Sequence, residues 1–114
     1  MNLKIRLYIE DENNDSFMGI GVLWLLSGID KHKSIRKAAL EMDMSYTKAF
    51  NILKNLEKSL NQPILIRNRG GNDREGTTLT EFGHLFLESY KKFNDNVEKY
   101  SRDEFNLFMK KINL

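Results

Sequence analysis

Two short helices separated by only a few residues constrain the fold of this chain most. Ser34 is positioned to cap the first helix, predicted over residues 35 to about 42, and Asp43 lies where the chain must turn. Ser45 is positioned to cap the second helix, predicted over residues 46–60. Apolar residues recur along one face of this second helix at three- and four-residue spacing, which is typical of a helix packed on a core. They are Ala49, Ile52, Leu53, Leu56 and Leu60.

A short β-hairpin is predicted directly after this helix pair. Pro63, the only proline in the chain, ends the helical stretch, and residues 63–67 have the apolar composition of a strand. Glycines bracket a polar turn within residues 70–76, and residues 77–79 form the returning strand. Two short helices followed by a two-stranded hairpin is the element order of a winged helix-turn-helix.

The N-terminal third is predicted to contribute one strand and one helix. Apolar and polar residues alternate over residues 3–9, a period of two that indicates a strand with one buried face. A helix is predicted over residues 17–29, and it is apolar nearly all round, so we expect it to be covered on more than one side. Because Gly19 and Gly21 weaken a helix, the alternative is that this helix begins only after Gly21.

A long helix capped by Thr80 is predicted after the hairpin. Its aromatic and apolar residues step by three and four from Phe82 to Tyr100, forming a heptad-like seam. Ser101 and Glu104 have the spacing of a capping box, so a second, shorter helix is predicted to start there.

The positive charge of the chain is concentrated in its middle. The formal net charge is only +2, from 18 Lys and Arg against 16 Asp and Glu. Residues 31–80, however, carry ten basic and five acidic side chains, whereas residues 1–30 carry two basic and five acidic ones. Because phosphate attraction depends on local charge, a nucleic acid would bind the middle segment. The alternative is a solvated surface on which charges cluster by chance.

The polar face of the second helix has the chemistry needed to read DNA. Asn51 and Asn55 lie one turn apart, and asparagine can pair bidentately with adenine. Lys48 and Lys54 suit phosphates better than bases. The helix N-termini at Ser34 and Ser45 present backbone N–H groups that attract phosphate.

Three motifs together carry a resemblance to a known family. They are SIRKAA at 34–39 with MSYTKAF at 44–50, PILIRNR at 63–69 with two glycines after it, and LTEFG at 79–83. The chain thereby resembles the N-terminal DNA-binding domain of the ModE family of molybdate-responsive transcriptional regulators. It is more distantly similar to the LysR-type regulators, which share the alanine pair and the Leu-Thr-x-x-Gly element.

The resemblance implies a division of the chain and a set of DNA-contacting residues. The helix-turn-helix occupies 33–60, the wing 63–79 and the dimerisation helices 80–112. The recognition helix and the wing contact DNA in the family, which implies the same role for Ser45, Tyr46, Thr47, Lys48, Asn51, Arg67, Arg69 and Arg74. Tyr46 has an alternative role as a half-buried packing residue, and Arg67 as a member of a structural salt bridge.

The chain departs from the family pattern in three places. Polar residues at 72–75 interrupt the wing glycines, which reduces the expected phosphate contacts there. Asp43 replaces the usual turn glycine, and aspartate tolerates left-handed backbone geometry better than most residues. Full-length ModE proteins continue into molybdate-binding domains, whereas this chain has 114 residues, so we expect no molybdate site in it.

The predicted seam of the long helix has two interpretations. Phe82 and Phe86 are expected to cover the domain's own core. Phe93, Val97 and Tyr100 lie well beyond the wing, and together with Trp24 they are expected to form a dimer interface; Trp24 could instead lie in the core. The predicted fold is therefore mainly α with a small β-hairpin, a single winged helix-turn-helix domain over 1–114 with an N-terminal strand and a long C-terminal dimerisation helix. A homodimer would place two recognition helices about 34 Å apart, one turn of DNA.

The residues that enzymes need are scarce in this sequence. It has no cysteine, no Gly-Lys phosphate-binding motif and no nucleophile elbow. Its two histidines are far apart: His32 is expected in a charged loop and His84 as a partly exposed helix residue. We therefore expect no enzyme, no cofactor and no metal site.

The predicted function is sequence-specific binding of double-stranded DNA by a transcriptional regulator. The alternative is a protein-interaction module that kept the winged fold and lost DNA binding. No secretory signal is apparent, and the most apolar stretch, residues 17–29, is shorter than the roughly 20 residues that a membrane helix needs. We therefore expect a cytoplasmic protein with no membrane association.

Overall fold

The computed structural model describes residues 1–67 and 76–113. Its elements in chain order are β1 (Tyr8–Glu10), β2 (Ser16–Gly19), α1 (Ile20–His32), α2 (Ile35–Glu41), α3 (Tyr46–Leu60), β3 (Leu65–Arg67), β4 (Thr77–Leu79) and α4 (Glu81–Ile112). β1 pairs with β2, and β3 pairs with β4, both antiparallel. The predicted fold class is confirmed. None of the helices in the described ranges is long and apolar enough to cross a membrane.

The helix-turn-helix forms as its sequence predicts. The Ser34 hydroxyl accepts a hydrogen bond from the Lys37 N–H, and the Ser45 hydroxyl accepts one from the Lys48 N–H, both at 3.1 Å. These bonds satisfy N–H groups that lack a partner within the helix. Asp43 adopts a left-handed backbone (φ 53°) between α2 and α3, so the expected turn forms without glycine.

One apolar core joins α1, α2 and α3 to the first half of α4. Gly83 lets α4 lie against the chain before β3, because a Cβ at this position would collide with the Ile64 carbonyl oxygen. The glycine of the LTEFG motif is thus a packing requirement. The largest fully buried side chains are Met18, Leu25, Leu26, Ile29, Leu53, Leu56, Ile64 and Leu87.

The base of the β3–β4 hairpin is fixed to α3 and to the chain just before α2. The Glu57 carboxylate of α3 accepts hydrogen bonds from the Ile64 N–H at 2.7 Å and the Leu65 N–H at 3.2 Å. The Thr77 N–H of β4 donates to the Lys33 carbonyl oxygen, just before α2. The orientation of the hairpin strands is therefore coupled to that of α3.

The N-terminal prediction was wrong in two respects. The strand is short and exposed: β1 starts only at Tyr8, and residues 3–9 have no buried side chain. The residues before Ile20 form β2, which pairs with β1. α1 therefore begins at Ile20, three residues later than the predicted helix start at residue 17 and earlier than the alternative start after Gly21. The extended backbone of Gly19 (φ −169°) marks the change from strand to helix.

The predicted helix break near Ser101 was also wrong. α4 is a single helix of 32 residues, about 48 Å long at 1.5 Å per residue. The Ser101 hydroxyl donates to the Glu98 carbonyl oxygen at 2.7 Å instead of capping a new helix. A serine bonded back to the preceding turn is compatible with helix continuation, which is why capping-box spacing alone misled.

The aromatic seam of α4 divides between core and surface. Phe82 and Phe86 pack against the core, as expected, and Tyr90 is buried. Burial raises the pKa of Tyr90, and its hydroxyl has no hydrogen-bond partner within the described part of the chain. The seam emerges from the core at Phe93, which is 47% exposed.

Candidate nucleic-acid interface

The outward face of α3 presents amides, a hydroxyl and ammonium groups to solvent. Ala49, Leu53 and Leu56 are buried and fix which face of α3 points inward. The opposite face is exposed, so the helix stands on the core with its polar side free. Among the predicted DNA-contacting residues, this exposed set contains Thr47, Lys48, Asn51, Lys54 and Asn55.

The two serine caps differ in what they can offer a ligand. Ser45 is exposed at the start of α3, next to the polar face. Ser34 is only 3% exposed, and its hydroxyl is occupied by the Lys37 N–H. The structure therefore gives Ser34 the role of a buried helix cap.

A row of aromatic rings and cations flanks the polar face of α3. The rings of Tyr46 and Phe50 stack with centroids 6.1 Å apart. The Arg36 guanidinium of α2 lies 5.2 Å from the Tyr46 ring centroid. The Phe50 centroid lies 5.5 Å from the Lys54 ammonium and 4.3 Å from the guanidinium of Arg67 in β3. Three elements thus meet at one aromatic pair.

This row answers two questions that the sequence left open. Tyr46 is 39% exposed, so it contributes to the surface as well as to packing. Within the described residues, Arg67 contacts an aromatic face and no carboxylate. The structural salt bridge considered as an alternative for Arg67 therefore does not form among these residues. The predicted wing contacts Arg69 and Arg74 lie outside the described residues.

Sequence reasoning missed Phe50 and Arg36. Phe50 belonged to the quoted motif, but nothing in its helical spacing shows that a strand arginine would reach its ring. Arg36 lies on α2, where the predicted DNA contact was the helix N-terminus at Ser34. The sequence signal that could have indicated both residues is the aromatic pair Tyr46 and Phe50, which lie four residues apart in a basic segment, since such rings attract cations.

The carboxylates of α2 and α3 are engaged beside this surface. Glu41 lies 2.9 Å from His32, and Glu57 accepts from the backbone before β3. The expectation that His32 lies in a loop was wrong, because it is the last residue of α1. His84 is a partly exposed helix residue, as expected. Within the ranges that the structure describes, no three His, Asp or Glu side chains cluster as a metal site.

The predicted dimer residues lie mainly on the surface. Trp24 is 59% exposed and Tyr100 is 68% exposed, while Val97 is half-buried. The alternative core position for Trp24 was therefore wrong. These side chains leave apolar area exposed on α1 and on the distal half of α4. α1 is nevertheless covered on more than one side, as expected, since Leu23, Leu25, Leu26 and Ile29 are buried.

The comparisons with known proteins agree with this geometry. Residues 23–84, more than half of the chain, match the family model of bacterial regulatory helix-turn-helix proteins of the lysR family. The molybdenum transport protein ModE of Azotobacter vinelandii is 30% identical over 67 residues, which are 59% of this chain and 25% of that protein. The transcriptional regulator ModE of Haemophilus influenzae is 32% identical over 83 residues, covering 73% and 31%. The chain thus spans a quarter to a third of these relatives' length.

Solved structures confirm the architecture. The BenM DBD in a complex with benA site 1 DNA superposes with a TM-score of 0.61 at 22% identity, covering 79% of this chain and 99% of that one. The CbnR DBD–DNA complex gives a TM-score of 0.63 at 21% identity, covering 76% and 94%. These neighbours share the winged-helix fold with a long C-terminal helix.

Proposed function

The chain belongs to the LysR family of bacterial regulatory helix-turn-helix proteins, and on that premise we propose that it is a sequence-specific, double-stranded-DNA-binding transcriptional regulator. The observation that carries the proposal is the exposed polar and basic face of α3 on a helix whose opposite face is buried. Such a helix fits the major groove, where base pairs present distinct donor and acceptor patterns. The role is regulatory binding and not catalysis.

The base-reading positions in this proposal are Asn51 and Asn55. Both are exposed on α3, one turn apart, and both carry amides that can pair with the N6 and N7 positions of adenine. Thr47, one turn before Asn51, adds a hydroxyl and a methyl group that suits thymine.

Positively charged groups around α3 supply the phosphate contacts. Lys48 and Lys54 are exposed on α3, and Arg67 extends the basic surface to the wing. Tyr46 and Ser45 stand at the helix N-terminus, where backbone N–H groups favour anions. Arg69 and Arg74 belong to the proposed wing contacts on the strength of the family resemblance. Because a bacterial regulator meets its DNA target inside the cell, we propose a cytoplasmic location.

We propose a homodimer formed by the exposed apolar side chains of α1 and α4. Trp24, Phe93 and Tyr100 are exposed and Val97 is half-buried, and burial of such apolar surface favours association. Two copies related by a twofold axis would present two α3 helices to successive major grooves, about 34 Å apart. Sedimentation that shows only monomer at micromolar concentration would contradict this arrangement.

A salt titration tests the DNA-binding proposal. Affinity for duplex DNA is expected to fall steeply with salt, because each phosphate neutralised releases counterions and adds about 0.9 to the log–log slope. The matched control for substitution of Lys48 or Lys54 is Lys92→Ala, which removes a cation from an exposed position on α4, away from α3. It should leave the slope unchanged. Absence of any salt-dependent binding to genomic fragments would favour the interaction-module alternative. No response to molybdate is included in the proposal.

A further inference from the structure

The Phe50 ring is the meeting point of the recognition helix and the first wing strand. It is half-buried on α3, stacked on Tyr46, and its face is approached by Lys54 and Arg67. Lys54 comes from one turn further along α3, whereas Arg67 comes from β3. One ring therefore gathers two cations that the fold brings from separate elements.

Aromatic rings hold cations through the negative charge of their faces. The Arg67 guanidinium, at 4.3 Å from the centroid, is well within the roughly 6 Å range of this interaction, and the Lys54 ammonium, at 5.5 Å, is also within it. Within residues 1–67 and 76–113, neither cation is paired with a carboxylate. The ring thus opposes the mutual repulsion of two like charges while leaving both free to bind an anion.

We propose that Phe50 is a positioning residue, which holds Lys54 and Arg67 together as a two-armed site for one phosphodiester group of the DNA backbone. This inference rests on the proposed DNA-binding function and adds how one aromatic ring holds two of the phosphate-binding cations in place. A guanidinium can bind a phosphate with two parallel N–H donors, and the ammonium adds a third. The phosphate would lie between α3 and the wing, so that the register of α3 in the groove is linked to the wing.

The backbone geometry supports this linkage. Glu57 fixes the start of β3 to α3 through two hydrogen bonds. The Arg67 side chain therefore projects from a strand whose position relative to Phe50 is already constrained. Prior orientation lowers the conformational entropy that the arginine loses on binding. On the other side of the pair, Arg36 over Tyr46 extends the same arrangement to α2.

The test replaces Phe50 and follows the binding of the full chain to a labelled duplex of mixed sequence across a salt series. Phe50→Leu keeps an apolar side chain and removes the π face, so affinity should fall about three- to tenfold and the salt slope should drop by about one. Phe50→Trp keeps a strong π face and should retain wild-type binding. Tyr8→Leu, the same type of change at an exposed ring on β1, is the control and should have no effect.

A double-mutant cycle separates positioning from a general structural effect. Arg67→Gln should weaken binding strongly in the wild-type background and only slightly in the Phe50→Leu background, because there the arginine has already lost its support. Equal losses in both backgrounds would overturn the proposal, as would a Phe50→Leu variant with unchanged affinity and slope. Wild-type protein that shows no salt-dependent DNA binding would instead refute the proposed function itself.

A measurement on the free protein keeps the proposal testable even where Phe50→Leu fails to fold. Protons of the Arg67 side chain above the ring should be shifted upfield by the ring current in NMR spectra of the wild type and of Phe50→Trp. Random-coil shifts for these protons in the wild type would overturn the proposed positioning.

Discussion

Removing the Glu57 carboxylate should loosen the connection between the recognition helix and the wing. This side chain accepts from two backbone N–H groups just before and at the start of β3, at 2.7 Å from Ile64 N and 3.2 Å from Leu65 N. Ile64 is fully buried, so its N–H has no access to water once the acceptor is lost. Glu57→Ala therefore leaves a buried donor unsatisfied.

The expected loss of stability is about 2 kcal/mol for Glu57→Ala. A hydrogen bond to a charged group contributes roughly 1.5–3 kcal/mol. Glu57 is only half-buried and its second hydrogen bond is long, so the two hydrogen bonds together are expected to contribute little more than a single strong one. Glu57→Gln keeps a neutral acceptor and should cost about 1 kcal/mol. For a chain of this size, 1 kcal/mol lowers the melting temperature by roughly 3–5 °C.

Thermal and urea unfolding followed by circular dichroism measure these differences. The control is Glu88→Ala, which removes a carboxylate on α4 that makes only an exposed ion pair with Lys91 at 3.6 Å. Exposed pairs of this kind contribute about 0–1 kcal/mol. Equal destabilisation by Glu57→Ala and Glu88→Ala would refute the role assigned to Glu57.

Three further predictions concern α4 and the base-reading face. Gly83→Ala should lower the free energy of unfolding by about 2 kcal/mol in urea titrations, because the overlap with the Ile64 carbonyl exceeds the roughly 1 kcal/mol gained in helix propensity; unchanged stability would contradict the close packing. Tyr90→Phe should raise it by about 1 kcal/mol by removing a buried, unpaired hydroxyl. Because the folded pKa of Tyr90 is raised, wild-type stability should fall as pH rises above about 10, a loss that Tyr90→Phe lacks. Asn51→Ala should relax base preference, whereas Lys54→Ala should weaken binding to all sequences; equal effects on every duplex would contradict these roles.

The elements that sequence predicted well are those defined by local interactions. The bounds of α3 follow from the Ser45 cap and an apolar stripe, and the left-handed turn at Asp43 follows from the tolerance of aspartate for that geometry. Both signals act within a few residues along the chain, so one sequence suffices to recognise them.

The elements that sequence missed depend on contacts between distant residues. β2 exists because it pairs with β1, and the residues before Ile20 have an apolar composition that suits either strand or helix. Ser101 has capping-box spacing, yet its hydroxyl bonds back to Glu98 and α4 continues. The Phe50 site also depends on a contact between residues distant in the sequence, because Arg67 reaches the ring only after the hairpin folds against α3.

Selection of bound genomic fragments by the wild type and by Asn51→Ala tests the central claim most directly. The account predicts that the wild type enriches fragments sharing one motif, with two half-sites about one helical turn apart, and that Asn51→Ala loses discrimination at one base pair of each half-site. Wild-type fragments with no shared sequence, or an Asn51→Ala motif identical to that of the wild type, would contradict it.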